Sequence, residues 1–253
     1  MISLSNIYNR VSQSSSLGAN NRRAYAKYKE IDDGARGNLT GGTVSVDSHL
    51  INQSTFNDRP GLNIVATLDS HSLDLLDEVS SQLLSSFPGQ YHYGRDQIHL
   101  TVHEIVPGNT DLTSLNQALV GKDPYIEVMN KLFGLAPAFT IYFGGIIASE
   151  SAILLPGYFL TEELPSFRTS FVEACAERGI PSRIGTQRYE PVTAHMCLTR
   201  FLTSLDGKRV IDILDEIEGS VSLSLKFSRL LLTRSDWYMR SGYAEILHEV
   251  ELR

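Results

Sequence analysis

Two short stretches of this chain alternate strictly between side chains that need burial and side chains that do not. One is Ile98-His99-Leu100-Thr101-Val102-His103, and the other is Ala194-His195-Met196-Cys197-Leu198-Thr199. A period of two marks a strand with one face on a core. In the first strand His99, Thr101 and His103 share the face away from the aliphatic row. In the second, His195, Cys197 and Thr199 do. A chain that builds the same strand twice, each led by a helix and followed by another, is expected to fold as two comparable halves.

The remaining periodicity fits that expectation. Leu62 to Leu68 reads as a strand, and Asp69 or Ser70 caps a helix whose Leu73, Leu76, Val79 and Leu83 recur at helical spacing. Strands are expected over 97–106, 192–201, 221–233 and 243–252. A hairpin of 139–148 with 152–158 turns at Ser149-Glu150-Ser151. Helices are expected near 112–120, 125–133, 162–177 and 206–217, the last two ended by Gly179 and Gly219. The predicted class is α+β and bilobal: two antiparallel sheets with flanking helices around a central cleft, related by a pseudo-two-fold duplication. Residues 1–58 are richer in Ser, Asn, Gly and charge, with short helices at Ile7–Val11 and Arg22–Ile31. They are expected to form a polar, partly ordered N-terminal extension to a domain over 59–253.

Composition excludes several classes. No apolar run approaches the ~18 residues that span a bilayer, and the first residues lack a secretory core, so a cytoplasmic monomer without membrane contact is expected. A net charge of -7 argues against a protein that grips long nucleic acid by its backbone. The two cysteines, Cys175 and Cys197, fall inside patterned segments and read as free thiols.

A pair of histidines presented by matched strands suits phosphodiester chemistry. In-line cleavage needs a base at the attacking oxygen and an acid at the leaving oxygen. Two imidazoles with an ordinary pKa near ~6.5 can hold opposite protonation states near neutral pH. Neighbouring hydroxyls can donate to the non-bridging oxygens, where charge gathers. One His-x-Thr on a strand means little; two copies on comparable strands carry the inference. His99 and His195 are the candidate acid and base, with Thr101, Cys197 and Thr199 as phosphate-binding groups. His103, Arg183, Arg188, Tyr189, Trp237 and Tyr243 are candidate groove or substrate contacts, although packing or solvation is the commoner fate of such residues. No metal or cofactor is expected. A zinc site of His99, His103 and His195 is a rival reading, and so is a nucleotide-binding module of the same fold without catalysis.

At His99-Leu100-Thr101-Val102 and His195-Met196-Cys197-Leu198 the chain resembles the two-histidine (2H) phosphoesterase superfamily, which includes 2'-5' RNA ligase-like proteins and cyclic phosphodiesterases. Phe227 to Trp237, followed by Gly242-Tyr243, is similar to the family's closing hairpin, and the match spans about 61–252. The resemblance implies metal-independent hydrolysis of a cyclic phosphate or 2'-5' linkage, on a small nucleotide or an RNA 3' end. Cys197 stands where the family pattern has Thr or Ser, and a thiol is the weaker donor.

Overall fold

A computed structural model describes residues 17–42, 44–51, 60–108, 111–184 and 191–253. Ile7–Val11, Arg188 and Tyr189 lie outside the described residues. The elements in chain order are α1 (Gly18–Thr40), α2 (Ser48–Ile51), β1 (Gly61–Leu68), α3 (Ser70–Ser86), β2 (Tyr91–His92), β3 (Leu100–Val106), α4 (Leu112–Val120), α5 (Asp123–Phe133), β4 (Phe139–Gly144), β5 (Ile147–Ala148), β6 (Ala152–Leu155), β7 (Gly157–Phe159), α6 (Glu163–Glu177), β8 (Met196–Arg200), α7 (Gly207–Glu218), β9 (Ser222–Ser235) and β10 (Glu245–Glu251).

The strands form two antiparallel sheets, as the α+β, bilobal reading requires. The larger runs β3-β1-β9-β4-β7, with β10 also paired to β9; the smaller runs β2-β8-β6-β5. The fourteen-residue β9 is the spine of the larger sheet. β1 pairs with its 227–235 stretch on one edge, and β4 and β10 lie end to end along the other. The expected hairpin of 139–158 is present, but it crosses from one sheet to the other. Its base, β4 with β7, belongs to the larger sheet, and its tip, β5 with β6, to the smaller. The crossing falls at Gly145, whose φ of 74° needs a glycine, and at Pro156.

Local chemistry sets the helix starts. The carboxylates of Asp69, Asp111 and Asp206 accept from Ser72, Ser114 and Arg209 N–H at 2.8, 2.9 and 2.8 Å, capping α3, α4 and α7.

The N-terminal region departs from expectation. Residues 18–40 form one helix of 23 residues, and Leu17, Ala24, Tyr28, Ala35 and Leu39 belong to the same continuous core as the sheets. The polar residues on its buried face answer the open sheet edges. Asn21 pairs with both backbone groups of Phe159 in β7, at 2.9 and 2.8 Å. Asp32 accepts from Ala148 N–H in β5 at 3.1 Å. β7 and β5 are the edge strands of the two sheets, so α1 closes one edge of each.

Candidate active site

Each histidine sits one residue before a strand: His99 before β3 of the larger sheet and His195 before β8 of the smaller. Both strands are shorter at the N-terminal end than their alternation suggests. The cause at His99 is the turn that precedes it, in which Gly94 N–H donates to Gln97 Oε1 at 2.9 Å and Gln97 Nε2 to the Tyr91 hydroxyl at 2.7 Å.

The two strands then carry the same irregularity at the same place. In β3, Thr101 pairs with Val65 and His103 with Ile64, so Val102 has no partner. In β8, Cys197 pairs with Leu154 and Thr199 with Ile153, so Leu198 has none. One extra residue reverses the alternation beyond it. Both strands therefore show the same burial: Leu100, Val102 and His103 in, Thr101 and Glu104 half-buried; Met196, Leu198 and Thr199 in, Cys197 and Arg200 half-buried.

Two assignments made from strict alternation change as a result. His103 does not share the face of His99. It is buried against the Phe171 ring at 5.1 Å, and its Nε2–H donates to the Ser182 carbonyl at 2.8 Å. It also lines a cavity of about 400 Å³ between α1 and α6 whose walls include Arg168 and Pro191 but neither His99 nor His195. Thr199 is fully buried, and its hydroxyl bonds His92 Nδ1 at 3.1 Å. His92 Nε2 donates to the Phe87 carbonyl, so Nδ1 of the neutral ring is an acceptor and Thr199 is the donor. Thr199 is thus spent on the smaller sheet. Among the described residues, no group of three or more His, Cys, Asp or Glu converges as a metal-binding set.

The same bulge brings Arg200 to the histidines, a residue that alternation placed on the wrong face. Burial first, and the Arg200 charge after that, lower the pKa of His99 and His195, while at Cys197 this charge opposes the rise that burial causes. Arg200 is braced by Asp47 Oδ2 at 3.2 Å and the Tyr93 hydroxyl at 3.4 Å, and it lies over the Tyr238 ring at 5.3 Å. The Cys197 thiol donates to the Thr199 carbonyl at 3.8 Å, and burial pushes its pKa up. The thiol is therefore protonated at neutral pH. Thr101 is half-buried at the position equivalent to Cys197, and its hydroxyl has no hydrogen-bond partner among the described residues.

His99 and His195 are both half-buried, and the charge of His99 is among the causes that lower the pKa of His195. Burial is the main depressing cause at both. His195 is pushed down to about 4 by burial, then Arg168, His99 and Arg200. At His99, a hydrogen bond to the Gln97 carbonyl and the nearby Asp236 carboxylate oppose the fall. A carbonyl only accepts, so the 2.7 Å contact fixes the hydrogen of His99 on Nδ1 and leaves Nε2 for the groove. His195 Nδ1 meets the Thr193 hydroxyl at 3.1 Å.

The β9–β10 loop borders the His99 side. Asp236 acts on His99, and the Ser241 hydroxyl bonds Asp96. Trp237 and Tyr243 on this loop are 38% and 48% exposed, with the Arg240 guanidinium 4.3 Å over the Tyr243 ring. Arg183 lies elsewhere: it pairs with Glu104 at 2.9 Å, at the far end of β3 from His99.

No protein-family model and no curated protein matches the sequence. Solved structures do match. The chain is similar to ATU0111 of Agrobacterium tumefaciens str. C58, a conserved protein of unknown function, with a TM-score of 0.50 and 16% identity over 82% of this chain and 92% of that one. TT0787 of Thermus thermophilus gives a TM-score of 0.49 at 15% identity, covering 76% of this chain and 98% of its own. LigT of E. coli, complexed with 3'-AMP, gives 0.46 at 13%, covering 77% and 98%. At these identities the likeness is one of fold: the chain shares the two-sheet α+β architecture of the Agrobacterium protein over most of both lengths.

Proposed function

We propose that this protein is a phosphoesterase that opens a cyclic phosphate or a 2'-5' linkage at a nucleotide or RNA end, using His99 and His195 as acid and base. The observation that carries the reading is the equivalence of the two motifs. Each histidine precedes a strand with a bulge three residues after it, the strands belong to different sheets, and the charge of His99 bears on His195. That arrangement supports a substrate held between them, with one ring on each side of phosphorus.

The surroundings favour one division of labour. Burial and Arg200 lower both histidines, but at His99 the Gln97 carbonyl and the Asp236 carboxylate oppose the fall, whereas at His195 Arg168 and His99 add to it. His195 then takes a proton from water at Nε2 while its Nδ1–H donates to Thr193. The water oxygen bonds to phosphorus, and the opposite P–O ester bond breaks. The leaving oxygen takes the Nε2 proton of His99, which returns to its neutral Nδ1–H form on Gln97. Thr101 and Arg200 bind the non-bridging oxygens. On this reading Trp237 and Tyr243 contact the base, and no step is assigned to a metal. Arg183, tied to Glu104, has no part in it.

Turnover of 2',3'-cyclic nucleotides and 2'-5'-linked dinucleotides in EDTA tests this; silence across the panel counts against it. A nucleotide-binding module without catalysis would bind the same compounds and release them unchanged. Two further variants sharpen the assignment. Arg200→Gln is expected to lower kcat by about 10²-fold, the usual worth of one strong donor to developing charge. Cys197→Thr is expected to keep or raise kcat, because a hydroxyl beside Arg200 is a better donor than the thiol. A collapse of Cys197→Thr would mean that the thiol has its own role.

A further inference from the structure

The segment that carries His195 has no ladder to hold it. Residues 191–195 are irregular, and β8 begins only at Met196. Two buried side chains from outside both sheets take over the task. Arg168 of α6, 7% exposed, donates to four carbonyls, two on each histidine-bearing segment. They are Thr101 and Val102 at 2.9 and 3.0 Å, and Pro191 and Thr193 at 2.8 and 2.9 Å. Tyr28 of α1 is fully buried. Its hydroxyl accepts from Ala194 N–H at 2.8 Å and Gly157 N–H at 3.3 Å, and donates to the Gly157 carbonyl at 3.1 Å. Gly157 allows this approach, since a Cβ there would run into the Ala194 carbonyl oxygen.

We propose that Arg168 and Tyr28 are positioning residues that clasp residues 191–195, so that His195 faces His99 across the two sheets, and that α1 is thereby part of the catalytic unit. This rests on the two-histidine reading above. The physical ground is the reach of each group. A guanidinium is a rigid planar fork that can bridge two chain segments at once, which an ammonium cannot do. The Tyr28 hydroxyl is both donor and acceptor at a point where three backbone groups converge. A buried arginine is costly to keep, and an apolar residue would suffice if only packing were needed. The clasp instead fixes a separation between segments of two different sheets, and acid–base catalysis is sensitive to such a separation.

The test uses the full chain and reads the coupling between the rings. Arg168 of α6, His99 before β3, Arg200 of β8 and the Thr193 hydroxyl face His195. His99 carries its proton while His195 titrates, so His99→Ala is expected to raise the His195 midpoint in an NMR titration. In Tyr28→Phe and in Arg168→Lys, which keeps the charge, that rise should shrink, because the rings have moved apart. On a turned-over substrate, kcat should fall by about 10²-fold with KM within a few-fold. An undiminished rise in both variants overturns the proposal, as does a lower melting temperature with unchanged coupling and kcat. Should Arg168→Lys not fold, Tyr28→Phe decides, since its ring still packs edge-on against Tyr158 at 5.7 Å. If the wild type turns over nothing, the phosphoesterase reading fails, while the titration still decides the clasp.

Discussion

Alanine in place of either His99 or His195 is expected to lower kcat by about 10²-fold or more, with kcat/KM falling in parallel and substrate binding largely kept. Acid–base assistance exists only in the transition state, so its removal appears in kcat rather than in ground-state affinity. The double variant should be little worse than either single one, because the two rings act on one displacement. The pH profile separates their roles. An acid must hold its proton, so the alkaline limb of kcat belongs to His99, whose pKa burial lowers but the Gln97 carbonyl and Asp236 partly restore. A base must be free of its proton, so the acid limb belongs to His195, which is pushed down to about 4. His99→Ala should flatten the alkaline limb, and His195→Ala the acid one. Normal turnover by both variants would sink the mechanism, and exchanged limbs would reverse the assignment.

The part of this site that was legible in the sequence is the part that period-two alternation can carry. His99-x-Thr101 and His195-x-Cys197 were legible because a histidine and a small side chain two apart share a face in any regular strand. What lies one step beyond was not. A bulge at Val102 and another at Leu198 turn His103 and Thr199 inward and Arg200 outward, and nothing in apolar residues such as these announces an unpaired position. A second signal was available in hindsight. Glu104 and Arg200 stand at equivalent places, each five residues after its histidine, and a charge repeated there is hard to reconcile with a buried face. The N-terminal helix is legible only over Arg22–Ile31, and its full length and its place in the core are not, for another reason. Its inward residues Asn21, Tyr28 and Asp32 are polar, so composition reads as extension rather than core. Their partners are the unpaired backbone groups of β7 and β5, which the sequence does not reveal until the sheet order is known.

Lowering the pH from 7 to 5 is expected to destabilise the fold by about 2 kcal/mol for each of His103 and His195, before any enzyme assay is run. Burial pushes both imidazoles down to about 4 in the folded state, against 6.5 for an unperturbed ring. Between those values the unfolded chain binds a proton that the folded chain refuses. Stability therefore rises with pH through this window and is lost as pH falls. One pKa unit corresponds to about 1.4 kcal/mol, and at pH 5 roughly one and a half units of each shift are expressed. Most carboxylates interfere little, because their ordinary pKa values near ~4 lie below the window, and Asp32, which burial raises, acts in the opposite sense. Urea unfolding at the two pH values measures the difference, provided the m-value is constant. His103→Gln separates the two contributions. A glutamine amide can still donate to the Ser182 carbonyl that His103 now bonds at 2.8 Å, but it cannot titrate. That variant should lose the His103 share of the pH dependence and keep that of His195 and the lowered His99, while the Phe171 contact is only weakened. Equal stability of the wild type at pH 7 and pH 5 would show that neither the buried His103 nor the half-buried His195 is held neutral by its surroundings, and with that the site would lose the low-dielectric environment that keeps His195 ready to accept a proton.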